Sequence, residues 1–161
     1  MGISKTNVMR ILDKEKILYQ AYQYDSELVD GQAVAQAVGA EAARTFKTLV
    51  TQANTKEYLV FMLPVSGSLD LKKAAQAAGV KSVAMIPQKE LLPLTGYVHG
   101  GCSPIGMKKP FRTFLDESAL HFETILFSAG KRGVQVELDP QALLALIGAV
   151  ALELQEKKAD F

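Results

Sequence analysis

Apolar positions recur along the chain in short runs broken by glycine, proline and polar clusters, and the period of each run predicts its element. Val8, Ile11 and Leu12 share a helical face behind Ser4, which predicts an N-capped amphipathic helix reaching Glu15. Residues 17–24 mix aliphatic and aromatic side chains and read as a strand. Asp30-Gly31 opens a short Ala/Val-rich helix over 32–38, closed by Gly39. Residues 44–52 and 58–65 read as a hairpin turning around Asn54-Thr55. Ser68-Leu69-Asp70 caps a helix over 71–78 that stops at Gly79. Residues 83–86 read as a strand, Pro87 starts a helical turn through Leu91, and 97–106 is glycine-rich and irregular. Three short strands follow, over 112–115, 124–128 and 134–138. Asp139-Pro140 then starts a long C-terminal helix with Leu143, Leu144, Ile147, Val150 and Leu154 along it. Helices interspersed with short strands predict an α/β (α+β-like) fold, a single domain over 1–161 with a central mixed β-sheet flanked by helices.

Composition narrows the function classes. A chain of 161 residues fits one domain and buries about two thirds of its unfolded surface, so it needs no staples. Its one cysteine, Cys102, permits no intramolecular disulfide and points to a reducing compartment. Cys102 with two distant histidines, His99 and His121, makes no zinc site without carboxylates, and we expect neither metal nor cofactor. Met1-Gly2-Ile3-Ser4-Lys5 leads into no apolar h-region, and the apolar stretch 142–152 is too short to span a bilayer. Gly2 with Thr6 loosely fits a myristoylation signal but has no second anchor beside it. A cytoplasmic protein with no membrane attachment is expected. With 18 basic against 17 acidic residues the net charge is +1, far less than phosphate contacts alone would require to hold nucleic acid. An RNA partner would be gripped by local patches, weakly, or with another protein's help.

Candidate chemistry concentrates in a few places. On a period-2 strand, Lys47 shares a face with Thr45, Leu49 and Thr51, while Phe46, Thr48 and Val50 share the other. It is either a solvated edge lysine or a lysine held at a cleft to bind an anion or carbonyl, its charge sharpened by partial desolvation. Gly100-Gly101-Cys102-Ser103-Pro104-Ile105-Gly106 lets the backbone approach a ligand and aim N–H groups at an oxyanion, or is simply a tight turn. It fits neither the P-loop nor the dinucleotide fingerprint. Cys102, three residues after His99, lacks the orienting third group that an activated nucleophile needs, so a small buried thiol is expected. Ser128-Ala129-Gly130-Lys131-Arg132-Gly133 reads as a hairpin turn whose serine can donate and whose cations can meet phosphate. Lys108, Lys109 and Arg112 form a second basic group after the glycine loop, serving phosphate contact or solubility alone.

Five segments in this order resemble the YbaK/EbsC family of aminoacyl-tRNA deacylases: Phe46-Lys47-Thr48-Leu49, Leu69-Asp70-Leu71-Lys72-Lys73-Ala74, Thr95-Gly96-Tyr97, Gly100-Gly101-x-Ser103-Pro104-x-Gly106 and Ser128-x-Gly130-Lys131-Arg132-Gly133. Each is weak alone; together they span nearly the whole chain. The resemblance implies a mixed sheet with flanking helices and hydrolysis of the ester joining a wrong amino acid to tRNA. It points to Cys-tRNA(Pro), with Cys-tRNA(Cys) beside it, and to prolyl-tRNA synthetase as the source of the error and a partner. It carries the family's essential lysine onto Lys47, its neighbour onto Thr48, a pocket tyrosine onto Tyr22, and the pocket's glycine and serine onto Gly101 and Ser128, with Gly100 beside them. Where close relatives carry an aspartate three residues after Arg132, this chain has Gln135. The resemblance also implies a mechanism in which the substrate's own cysteine thiol attacks its ester carbonyl. Two alternatives stand beside it: a deacylase of Ala-tRNA(Pro) using a bound water, and a non-catalytic module that binds tRNA or a synthetase.

Overall fold

The computed structural model describes residues 3–157, so Gly2 of the myristoylation-like pattern and the last four residues lie outside it. The chain order is α1 (Asn7–Lys14), β1 (Gln20–Gln23), α2 (Gly31–Ala37), β2 (Phe46–Ala53), β3 (Tyr58–Pro64), α3 (Leu71–Ala78), β4 (Val83–Met85), α4 (Leu91–Thr95), β5 (Arg112–Asp116), β6 (Ile125–Lys131), β7 (Val134–Leu138), α5 (Pro140–Ile147) and β8 (Val150–Leu152). The strands form a five-stranded mixed sheet, β4-β2-β3-β5-β8, and a three-stranded sheet, β1-β7-β6. In the larger sheet the β2 pairings with β3 and β4 are antiparallel, while β3–β5 and β5–β8 run parallel. A single bridge from Thr45 to Leu126 joins the two sheets. The expected mixed sheet is therefore present as two pieces meeting where β2 begins.

That layout follows from where apolar residues can hide. β3, Tyr-Leu-Val-Phe-Met-Leu-Pro, is apolar without alternation because both of its faces are covered. Val60 and Met62 join Phe46 and Val50 of β2 in one core, which α1 (Val8, Met9, Leu12), Leu143 of α5 and the inner face of the smaller sheet complete. Leu59, Phe61 and Leu63 enter a second core beneath Ala74, Ala75 and Ala78 of α3. Small alanines let that helix lie close to the sheet.

Three expectations are corrected. The first helix is capped by Thr6, whose side chain accepts from Met9 N–H, so it starts later than Ser4 would place it. Residues 91–95 form α4, where only a turn ending at Leu91 was expected. The long C-terminal helix ends at Ile147, because Gly148 takes a left-handed conformation (φ 65°) that stops it. Val150–Leu152 then runs as β8 alongside β5, and Leu154 is buried in the second core instead of continuing a helical stripe.

Candidate functional site

At the junction of the two sheets lies a cavity of about 310 Å³. β2 supplies Lys47 and Thr48 at its start, β6 supplies Ser128, β7 supplies Gln135, and Tyr24 follows directly on β1. The segment 29–34, leading into α2, and the loop at His99, Gly100 and Cys102 close the other sides. Strand register explains the grouping: Ser128 pairs with Gln135, and Gln135 with Tyr22, so these side chains share one face of the smaller sheet.

The polar groups of this cavity are unusually short of partners. Four buried side-chain polar atoms among the described residues have no hydrogen-bond partner, and three of them, Tyr24 OH, Thr48 Oγ1 and Gln135 Oε1, belong to cavity residues. An unpaired buried polar group costs roughly 1–3 kcal/mol, which a ligand able to pair it would offset. Ser128 Oγ accepts from Gly130 N–H, leaving its own hydroxyl hydrogen free to donate.

Lys47 is half-buried, and its Nζ donates to the Gly67 carbonyl at 2.7 Å. Burial lowers its pKa from the ordinary lysine value, and the Asp30 carboxylate across the cavity partly opposes that fall. Asp30 is exposed and also caps α2 by accepting from Ala33 N–H. The ammonium keeps two hydrogens for a ligand. Cys102 is the contrasting case. Burial pushes its thiol up to about 12, against a weaker downward pull from Thr95.

Of the residues singled out from sequence, Lys47, Thr48, Gly100 and Ser128 share the cavity wall. Gly101 adjoins Gly100 but turns toward the neighbouring hairpin: a Cβ there would lie 3.0 Å from Arg132 N. Tyr22 lies on the same sheet face but outside the wall, its hydroxyl donated to Glu137, and the wall's tyrosine is Tyr24. Glu137 also accepts from Thr124 and Arg44; burial alone would raise its pKa, but these bonds with that from Tyr22 hold it below the ordinary value. Period 2 from Tyr22 reaches Tyr24 on the same face, which is the signal that could have found it.

The basic residues separate in the same way. Arg132 Nε donates to the His99 carbonyl at 2.8 Å and so pins the glycine loop at the cavity edge. Lys131 is exposed on the same hairpin, and Lys108 and Lys109 are exposed beyond α4, whose Leu91 lines the cavity. Arg112 does not flank the cavity: it pairs in register with Leu59, four positions along β3 from the Leu63 that faces Lys47. There it makes a two-point ion pair with Glu57, both contacts at 2.9 Å, and also binds the Ala78 carbonyl.

Comparison with known proteins gives the family. Residues 25–146 match the family model for the aminoacyl-tRNA editing domain. Over 156 residues the chain is 44% identical to the "Putative Cys-tRNA(Pro)/Cys-tRNA(Cys) deacylase EbsC" of Enterococcus faecalis, covering 96% of this chain and 95% of that one. A crystal structure described as a "putative trans-editing enzyme for prolyl tRNA synthetase" matches with a TM-score of 0.82 at 27% identity, over 96% of this chain and 100% of that one. A hypothetical protein of 20% identity shares the fold at a TM-score of 0.86, over 94% of this chain and 100% of its own. The chain belongs to the aminoacyl-tRNA editing domain family, within the YbaK/EbsC group of aminoacyl-tRNA deacylases.

Proposed function

We propose that this enzyme removes cysteine from Cys-tRNA(Pro), and from Cys-tRNA(Cys), by letting the substrate's own thiol attack its ester. The observation that carries the reading is the state of the cavity's thiol. Cys102, pushed up to about 12 by burial, stays protonated at neutral pH and is a poor nucleophile. That removes Cys102 as the attacking group; on our reading the substrate's own thiol takes that part, and the cavity's task is to position and polarise. The relative that is named a Cys-tRNA(Pro)/Cys-tRNA(Cys) deacylase supports the same substrate.

The step balances without a cofactor. The substrate sulfur bonds to the carbonyl carbon, and the bond from that carbon to the terminal ribose oxygen breaks. The proton lost by the thiol ends on that oxygen, giving free tRNA and a strained four-membered cyclic thioester that water opens to cysteine. Holding thiol and carbonyl together makes the attack intramolecular, which is worth several kcal/mol. The two free hydrogens of the Lys47 ammonium face the carbonyl oxygen as negative charge gathers there, with the Thr48 hydroxyl and the Gly100 backbone beside it. Ser128 and Gln135 orient the rest of the aminoacyl group, and Gly101 fixes the loop.

A cavity near the small end of the usual ligand-pocket range suits a small aminoacyl group. A synthetase pocket separates groups as close in size as cysteine and proline by only about 1–3 kcal/mol, so a second enzyme with a different criterion is useful. Prolyl-tRNA synthetase is the partner this reading supplies, in the cytoplasm where tRNA is charged. Deacylation of Cys-, Ala- and Pro-charged tRNA(Pro) side by side tests it. The Cys ester should be cleaved at least about a hundredfold faster than the other two, some 2.7 kcal/mol of barrier. An Ala rate equal to the Cys rate would hand the attack to a water held by the cavity's unpaired polar atoms.

A further inference from the structure

The Gly67 carbonyl that holds Lys47 is itself held from outside the cavity. Residues 64–67 turn at the end of β3, with Gly67 N–H donating to the Pro64 carbonyl at 2.9 Å. The segment after β8 runs along the far side of this turn. Glu156 N–H donates to the Ser68 carbonyl at 2.9 Å, Asp70 N–H to the Leu154 carbonyl at 2.8 Å, and Leu69 bridges Gln155. The Gln155 side chain lies directly against the Gly67 α-carbon: a Cβ there would fall 2.1 Å from Gln155 Oε1 and 2.8 Å from its Cδ. Gln155 is fixed in turn, since its Nε2 donates to Asp116 Oδ2 at 2.9 Å. Asp116, 2% exposed at the end of β5, also accepts from Leu154 N–H at 2.9 Å and Ser118 N–H at 3.2 Å. The contacts thus run without a gap from the sheet interior through Asp116, Gln155 and Gly67 to the Lys47 ammonium.

We propose that Gln155 is a positioning residue for the deacylation, setting the Lys47 ammonium through the carbonyl of Gly67. The proposal rests on Lys47 serving the reaction as argued above. Gln155 touches no substrate; it fixes where one acceptor of the ammonium sits, and so where the other two hydrogens point. A side chain with four rotatable bonds would otherwise wander within the cavity, and small misplacements of a positioning group are costly in rate. A Cβ at Gly67 would push on the Gln155 amide, the group whose Nε2 is bonded to Asp116. Gly67 lies outside the left-handed region, so Gly67→Ala needs no backbone strain and acts only through that collision.

The test is a mutant cycle on single-turnover deacylation of Cys-tRNA(Pro), with Lys47→Ala as reference. Gly67→Ala should lower the rate at least about tenfold with its KM nearly unchanged. Gln155→Ala should lower the rate by a similar factor on its own, and because both changes remove the same support the double variant should be little slower than either single one. The lysine titration gives a second readout that works without substrate. Shifting this carbonyl away from the ammonium weakens its hold on the charged form and lowers the Lys47 pKa, so in labelled protein its titration should move to lower pH in Gly67→Ala. Asp30 at the cap of α2, Tyr24 after β1, and His99 and Cys102 of the glycine loop are the other titratable residues of the cavity wall and are unaltered. If Gln155→Ala fails to fold, Gln155→Met keeps the bulk without the Asp116 bond and should show the same shift. Additive losses with an unmoved lysine titration would overturn the proposal while leaving the role of Lys47 standing, provided Lys47→Ala is inactive. Full activity in Lys47→Ala would overturn both.

Discussion

Tyr24 and Thr48 put hydroxyls where burial offers them nothing, and that arrangement predicts opposite effects on stability and activity. Removing an unpaired buried hydroxyl relieves a desolvation cost and leaves shape nearly unchanged. Tyr24→Phe should therefore melt at or above the parent temperature while deacylating Cys-tRNA more slowly; a loss of stability at unchanged rate would make the hydroxyl structural. Alternation and glycine patterning brought Lys47, Gly100 and Ser128 forward, while Thr48, placed by alternation on the face opposite Lys47, came only from the family resemblance, and the structure brings these four to one cavity. Tyr22 came from the family resemblance, and alternation, which places Tyr22 and Tyr24 on one face, could not say which of them a cavity meets. Burial and partner are three-dimensional properties, and the Tyr22–Glu137 bond spans two strands that no local pattern connects.

Several elements were legible where a cap or glycine marked an end. Asp70 and Gly79 bound α3 as expected, with the Asp70 carboxylate accepting from Lys72 and Lys73 N–H. The misreading was at α5, where Val150 and Leu154 continue a helical spacing by coincidence: Val150 is half exposed on β8 and Leu154 is buried against α3. Gly148 was the available signal, and apolar periodicity outweighed it. No atom lies within 4 Å of where a Gly148 Cβ would sit, so Gly148→Ala tests backbone conformation alone. It should cost about 1–2 kcal/mol, the left-handed penalty for a residue with a side chain. At about 2–4 °C per kcal/mol for a chain of this size, the melting temperature should fall by several degrees. An unchanged midpoint would mean that the helix stop does not depend on glycine. This junction bears on the role proposed for Gln155, which follows the strand it releases.

On the scale of the whole molecule, the net charge of +1 gives little field to draw in tRNA, so grip depends on where the cations stand. Arg112 is paired with Glu57 and Arg132 is tied to the glycine loop, while Lys108 and Lys109 beyond α4 and Lys131 on the β6–β7 hairpin are exposed. Lys108→Glu with Lys109→Glu should weaken activity on charged tRNA and flatten its salt dependence, and added prolyl-tRNA synthetase should recover part of the loss. An unaltered salt slope would place the tRNA on another face. None of these variants, however, tests the nucleophile itself. The most direct measurement compares single-turnover rates on Cys-tRNA and Ser-tRNA, which differ by sulfur against oxygen in the side chain. The account predicts much faster cleavage of the Cys ester, because a thiol ionises far more readily near neutral pH and attacks better once ionised. Equal rates on the two esters would contradict attack by the substrate thiol.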